Sequence, residues 1–282
     1  MSNKNPVVCS WGGGVQSTAI AEMSIRGDLP RADLYVFADT GDEPQEVYDH
    51  VEWMSARMKE AGLNFMTVTR DGYGSISEHV VGNASIGKRG ISMPPMYVAT
   101  TDGGTMPVRR GCTFDFKAKP LDKAIKKHFN IPRRKKGKPY DGPVVEHWLG
   151  ISLDEAQRMK ESQVPWRKFV YPLVDRFIKR VDCNRYLAKH GIKAPRSACH
   201  YCPFHSNNEW RRIKAMPAEW EKVIEFERQV HAAYDEHGHV AGLKTKPYLH
   251  MSRVPIDEAN IGEGQLELFG GMDNECGGIC GV

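Results

Sequence analysis

No run of apolar residues in this chain is long enough to cross a bilayer. The longest, such as Leu34–Ala38, fall far short of the roughly 20 residues a spanning helix needs. Met1 to Pro6 also lack the charged-then-apolar pattern of an export signal, so the expected address is the cytoplasm, with no membrane partner. Charge of one sign is scarce as well. Lys and Arg total 39 against 35 Asp and Glu, and a net +4 is too small for overall electrostatics to argue for nucleic acid or an anionic membrane. GxxxxGK[ST], GxGxxG and HExxH are all absent, which excludes the ordinary Walker loop, the dinucleotide fingerprint and the zincin helix.

What is present reads as a globular protein. Hydrophobic residues make up 40% and charged residues 26%, so disorder throughout is excluded, and 282 residues suit one α/β core with insertions and a tail. The seven cysteines, an odd number without an export signal, fit metal binding or redox chemistry better than a disulfide framework.

Residues Pro6 to Ser10 predict a buried strand, Gly12 to Gly14 a turn, and Val15 to Arg26 a helix closed near Gly27. Leu34 to Ala38 predict a second strand. Pro44 opens a helix through Ala61 that stops at Gly62, and Phe65 to Thr69 follow as a third strand. Strands alternating with such helices imply βαβ units and a doubly wound, mainly parallel α/β sheet. Asp71 to Arg110 lack clear periodicity and read as a long, lid-like loop. Leu121 to Phe129 look helical and Val144 to Ile151 like a strand. Ser152 with Glu155 reads as a capping box, repeated at Ser206 and Glu209, and Pro217 to His237 as a long amphipathic helix. The expected organisation is a nucleotide-binding domain over 1–180, a cysteine-bearing helical region over 181–261, and a mobile glycine-rich tail over 262–282.

In Ser10-Trp11-Gly12-Gly13-Gly14-Val15-Gln16-Ser17-Thr18, glycines let backbone amides approach an anion, and the following helix points its positive end at the same place. Phosphate is the expected ligand, with Ser10 and Ser17 supplying hydroxyls. A plain tight turn is the alternative. Cys112, Cys183 and the pair in Cys199-His200-Tyr201-Cys202-Pro203 could complete a tetrahedral sulfur set for an iron-sulfur cluster or zinc. Alternatively, Cys112 and Cys183 are merely buried small residues while Cys199, Cys202 and His205 hold zinc or nothing. Cys9, inside the first strand, reads as core. Lys126, Lys127, Arg133, Arg134, Lys135, Lys136 and Lys138 form a basic segment that could grip a phosphate backbone or simply be solvated. Trp210 and Trp220 fit helix packing.

The sequence resembles the PP-loop superfamily, and within it the phosphoadenosine phosphosulfate reductase-like branch. The resemblance rests on the glycine loop, on Asp39-Thr40-Gly41 with Pro44 and Glu46, on Arg110-Gly111-Cys112-Thr113 with Lys117, Lys119, Pro120 and Leu121, and on Gly150-Ile151-Ser152 with Glu155 and Arg158. It implies an adenine nucleotide, ATP or a relative, held by Ser10, Gly12, Gly13, Gly14, Gln16 and Ser17, with Asp39, Thr40 and Gly41 at the neighbouring strand end and Mg2+ accompanying the nucleotide. Arg110, Lys117 and Arg158 would neutralise developing charge. The cysteine arrangement is similar to the four-iron site of PP-loop proteins of DNA phosphorothioation, which implies ATP-dependent adenylation and sulfur transfer, with tRNA or DNA as acceptor and a separate sulfur donor or thiol reductant. Cys276 and Cys280 on the tail would relay sulfur. Glu275-Cys276-Gly277 is also similar to the end of the sulfonucleotide reductases, so a reductase with Cys276 as nucleophile is the rival expectation. This chain departs from that ending by its second cysteine. A nucleotide-binding regulatory protein without turnover is the third expectation.

Overall fold

The computed structural model describes residues 5–72, 74–134 and 136–262. Its centre is a five-stranded, wholly parallel sheet built from β1 (Val7–Ser10), β2 (Leu34–Ala38), β3 (Phe65–Val68), β6 (Val145–Leu149) and β7 (Arg167–Val170), in the order β3-β2-β1-β6-β7. β1 and β2 are buried along their whole length, as strands covered on both faces must be, which explains their unbroken apolar reading in the sequence.

Side chains alternate between two cores. Val7 and Cys9 of β1 face one, with Tyr35 and Phe37 of β2. There they meet α1 (Val15–Arg26), α2 (Gln45–Glu60) and α6 (Arg180–Lys189) through Ile20, Met54, Met58 and Leu187. Val8, Leu34 and Val36 face the other, against Leu121 and Ile125 of α4 (Lys119–His128). α1 ends on Gly27 with φ 85°, the left-handed C-cap that glycine adopts without a Cβ clash.

A third core joins α3 (Ile76–Ala84), α7 (Asn207–Lys214) and α8 (Pro217–His237), including the expected packing of Trp210 and Trp220, whose ring centroids lie 6.4 Å apart. Here the structure departs from the sequence reading. The segment expected to be a long loop over 71–110 contains α3 and a hairpin of β4 (Tyr97–Ala99) and β5 (Thr105–Pro107). α3 has a complete capping box, in which the Ser75 side chain accepts from the Glu78 amide while Glu78 accepts from the Ser75 amide, and it packs on α8 through Ile76, Val80 and Ala84. The box expected at Ser152 does not form. Ser152 makes no side-chain cap, a 3-10 helix runs over Leu153–Arg158, and Glu155 turns to tertiary partners instead. The remaining short helix of the set, α5 (Pro172–Asp175), follows β7.

Candidate functional site

Because β1 is central and its neighbours β2 and β6 lead to opposite edges, the chain reverses direction across the sheet between β1 and β6. In open parallel sheets that reversal leaves a crevice beyond the strand ends, and ligands bind there. The loop Trp11–Gly14 leaves β1 at this point and α1 starts directly after it. Gly150, just past β6, lies so close that a Cβ on it would stand 3.1 Å from the Ser17 amide nitrogen.

The loop is held in shape by its own atoms. Gly13 has φ 77°, a conformation that L side chains rarely adopt. Gly14 is the N-cap of α1 and makes no side-chain cap. The Ser17 hydroxyl accepts from the Gly12 amide at 3.2 Å and donates to the Gly14 carbonyl at 3.1 Å, so it braces the turn. Ser10 does not reach into the loop. Its hydroxyl lies 2.6 Å from His147 Nε2 of β6, inside the sheet, and burial holds that imidazole down to about 3.

Gln16, 1% exposed in the first turn of α1, is the hub of a polar network that the sequence did not reveal. Its amide nitrogen donates to Glu155 Oε2 at 3.1 Å, and its amide oxygen accepts from Arg180 at 3.0 Å. Arg158 meets the same Glu155 oxygen at 2.9 Å, while Glu155 Oε1 is buried with no hydrogen-bond partner.

The loop after β2 forms the next wall. Asp39, half-buried, accepts from the Gly41 amide at 2.8 Å and the Tyr48 hydroxyl at 2.9 Å. Thr40 donates to Glu43 Oε1 at 3.2 Å, and Lys117 Nζ stands 3.3 Å from the same oxygen. Lys117, expected to face a ligand's charge, is thus buried in an ion pair, and Glu43 Oε2 has no hydrogen-bond partner. Thr113 to Ala118, which carry Lys117, form a π-helical turn, a rare conformation that recurs at functional sites. Arg110 stacks its guanidinium 4.7 Å above the Phe204 ring.

Gly41 explains how tightly this loop is packed. It has φ 77°, and a Cβ there would lie 2.6 Å from Ser75 Cβ. Next to it, Asp42 binds the start of α3, accepting from the Ser77 amide at 2.7 Å and the Ser77 hydroxyl at 2.8 Å. Burial pushes its carboxyl up to about 6 against those bonds.

The cysteines divide. Cys112, Cys199 and Cys202 share the core of α3, α7 and α8, and the stacking of Arg110 on Phe204 ties their two segments together. Cys183 lies instead on the face of α6 packed against α1, in the core that also holds Cys9. Of the four cysteines expected to form a thiolate set, Cys112, Cys199 and Cys202 thus belong to one apolar core and Cys183 to the neighbouring one. Among the described residues no three Cys, His, Asp or Glu side chains converge to hold a metal ion. His205 Nε2 lies 3.0 Å from the Cys199 carbonyl, and burial holds its ring down to about 3. Burial pushes the Cys9 thiol up to about 12, which makes it inert core. Cys276 and Cys280 lie outside the described residues, as do Lys135 of the basic segment and the rest of 263–282.

Asp42, Glu43, His147, Glu155, Arg180 and His200 were not singled out as site residues from the sequence. Glu155 had two signals in the sequence, its spacing from Ser152 as a helix cap and its place in the motif with Gly150 and Arg158. No helix among the described residues is long and apolar enough to cross a membrane. No protein-family model matches the chain and no curated protein matches it, so its kinship rests on the fold alone, a Rossmann-like α/β architecture with a parallel sheet in the order β3-β2-β1-β6-β7.

Proposed function

We propose that the chain is an enzyme of the PP-loop type that binds ATP at the β1–β6 switch point, adenylates an acceptor and so prepares it for sulfur transfer. One observation carries this reading: the start of α1, a glycine turn and the end of β6 meet at the crevice of a parallel sheet. Backbone amides there can surround phosphate oxygens without any lysine of the Walker kind.

In the proposed reaction an acceptor oxygen attacks the α-phosphorus, the bond to the β-phosphate oxygen breaks, and pyrophosphate leaves with the bonding pair. A sulfur nucleophile from a separate donor then displaces AMP. The protein's part is positioning and charge stabilisation. Gly12, Gly13 and Gly14 approach the phosphates, with Ser17 bracing their turn. Arg158 and the start of α1 supply positive potential. Asp39 is the half-buried carboxylate at the β2 end, suited to the ribose or to Mg2+ carried in with the nucleotide. Lys117 shapes this wall through Glu43 rather than touching the reacting phosphate.

The test is direct. Protein purified anaerobically is incubated with ATP and with total tRNA or DNA, and AMP and pyrophosphate are measured. Acceptor-dependent release of both products supports the reading. Absence of ATP binding overturns it. Formation of a sulfonate adduct on Cys276 with phosphoadenosine phosphosulfate, without ATP cleavage, replaces it with the sulfonucleotide reductase.

A further inference from the structure

We propose that a nucleic-acid strand docks by its sugar-phosphate backbone on the basic loop after α4 and runs from there along the outer edge of β7 to the crevice; the charges of this surface stand by themselves, and only its role of delivering an acceptor rests on the reading above. No acidic residue stands between Asp122 and Asp141, a span rich in Lys and Arg. Lys126, Lys127, Arg133, Arg134, Lys136 and Lys138 are all exposed, and none of them makes an ion pair among the described residues. Asp122, the one acid of α4, is spent on Arg167. Like charges crowded on one short segment repel, and a polyanion that spans several of them relieves that repulsion at once.

The loop displays these cations from fixed anchors. Ile131 is buried and Tyr140 half-buried in the core beneath α4, where they join Val145 and Trp166 at the strand starts. Asn130, at φ 52°, turns the chain out of α4. Arg134 Nε donates to the Lys138 carbonyl at 3.2 Å, and the Tyr140 hydroxyl donates to the Pro143 carbonyl at 2.7 Å. A display set in advance loses less freedom on binding. None of the large apolar side chains exposed on the described surface lies between 123 and 141. A membrane-surface helix sets Leu, Phe or Trp beside its cations, and a stable protein interface has an apolar core, so this surface fits a hydrophilic polyanion instead.

The route then follows the sheet edge. The Trp166 ring carries Lys126 Nζ and the Arg167 guanidinium, each 5.0 Å from its centroid, so the positive surface continues to the start of β7. β7 is the outer strand of its sheet, and beside it lies a cavity of about 650 Å³ lined by Lys160, Lys168, Phe169 and Tyr171. Glu161 and Asp175 also line it and offset the two lysines, so the cavity guides a strand that the loop grips. Tyr171 fixes the far wall, since its hydroxyl accepts from the Lys160 amide at 2.9 Å and donates to the Lys160 carbonyl at 2.7 Å. Lys160 stands two residues past Arg158, which meets Glu155 beside Gln16 of α1. The cavity therefore joins the basic loop, at the strand starts, to the crevice at the strand ends.

The experiment is fluorescence anisotropy of labelled single-stranded DNA, single-stranded RNA and duplex DNA, each about 30 nucleotides long, titrated with the full chain at about 50 to 200 mM salt and without ATP. Arg133→Glu with Lys136→Glu is compared with Lys189→Glu with Arg228→Glu, which changes the net charge equally at exposed positions of α6 and α8, and circular dichroism checks each fold. The loop variant should lose about tenfold or more in affinity, and its slope of log affinity against log salt should shrink by about 1.4 to 1.8, the share of two phosphate contacts. The α6 and α8 variant should lose less than about threefold. Binding of RNA, DNA or both supports the surface, and the tighter of them names the source. Equal losses in the two variants, no binding of any strand at the lowest salt, or binding of phosphatidylserine vesicles in place of nucleic acid overturns it. Since ATP is absent from the titration, that failure leaves the nucleotide site standing. Strand binding by a chain that binds no ATP keeps the surface and removes its role of delivering an acceptor.

Discussion

The backbone carbonyl of Asp42 accepts two hydrogen bonds from His200, one from its amide at 3.1 Å and one from its Nδ1 at 2.9 Å. His200 is the second residue of the CxxC segment, and Asp42 belongs to the loop that ends β2. The cysteine segment is therefore docked on the loop after β2 through the Asp42 carbonyl. The other ring nitrogen meets Glu219 of α8, so one imidazole joins loop, cysteine segment and helix.

His200→Ala should destabilise the fold by about 1–3 kcal/mol, because it strands the largely buried Glu219 carboxylate and leaves the Asp42 carbonyl with one donor fewer. Urea unfolding of His200→Ala, Glu219→Gln and the double variant measures the coupling. If the double variant costs the sum of the singles, the histidine and the glutamate do not act together and the bridge is incidental.

The glycine loop offers a sharper test. Gly13→Ala places a Cβ at φ 77° and 3.4 Å from Val47, and Gly150→Ala places one 3.1 Å from the Ser17 amide. Both should weaken ATP at least about tenfold through the shape of the turn, with Gly13→Ala also costing roughly 1 kcal/mol of stability. Calorimetric titration with far-UV circular dichroism on each variant separates lost binding from lost fold. Full ATP affinity in both would show that the crevice does not depend on this turn.

Gly41 and Gly27 form a matched pair, since both have positive φ but only one is crowded. Gly41→Ala meets Ser75 Cβ at 2.6 Å and Ser75 Cα at 2.8 Å, whereas Gly27→Ala meets nothing within 4 Å. Backbone strain alone costs each about 1 kcal/mol, and crowding adds about 1–3 kcal/mol to Gly41→Ala. Equal losses in thermal unfolding would mean that α3 is not seated on the β2 loop as described.

What the sequence could reveal follows from how local each signal is. β1, β2 and α1 were legible because a strand buried on both faces is apolar throughout and Gly27 closes the helix by its own backbone freedom. α3 was not, because Ile76, Val80 and Ala84 make sense only against α8, some 150 residues later in the chain. Glu155 misled for the opposite reason: its spacing from Ser152 matches a cap, but the carboxylate turns instead to Gln16 and Arg158. Cys183 could not be sorted from Cys112, Cys199 and Cys202 by spacing, since only the packing of α6 on α1 decides which core receives its thiol.

Glu227 of α8 gives a pH dependence with a definite sign. Its carboxylate accepts from the Leu249 amide at 2.6 Å and the Ile256 amide at 2.5 Å, clamping the segment that runs down to Ile261. Burial pushes its carboxyl up to about 7, against the two amides that favour the charged form. A folded pKa above the unfolded value means the folded state holds the proton more tightly. The contribution is therefore fully present below about 4.5 and is lost as pH rises through 7. Glu227→Gln removes this titration and turns an amide N–H toward one of the two backbone donors, at a cost of about 1–3 kcal/mol. The gap in stability between wild type and Glu227→Gln should accordingly be wider at pH 5 than at pH 8 in denaturant unfolding. A gap that widens with rising pH would show that the two amides outweigh burial and that the carboxylate is charged in the folded protein.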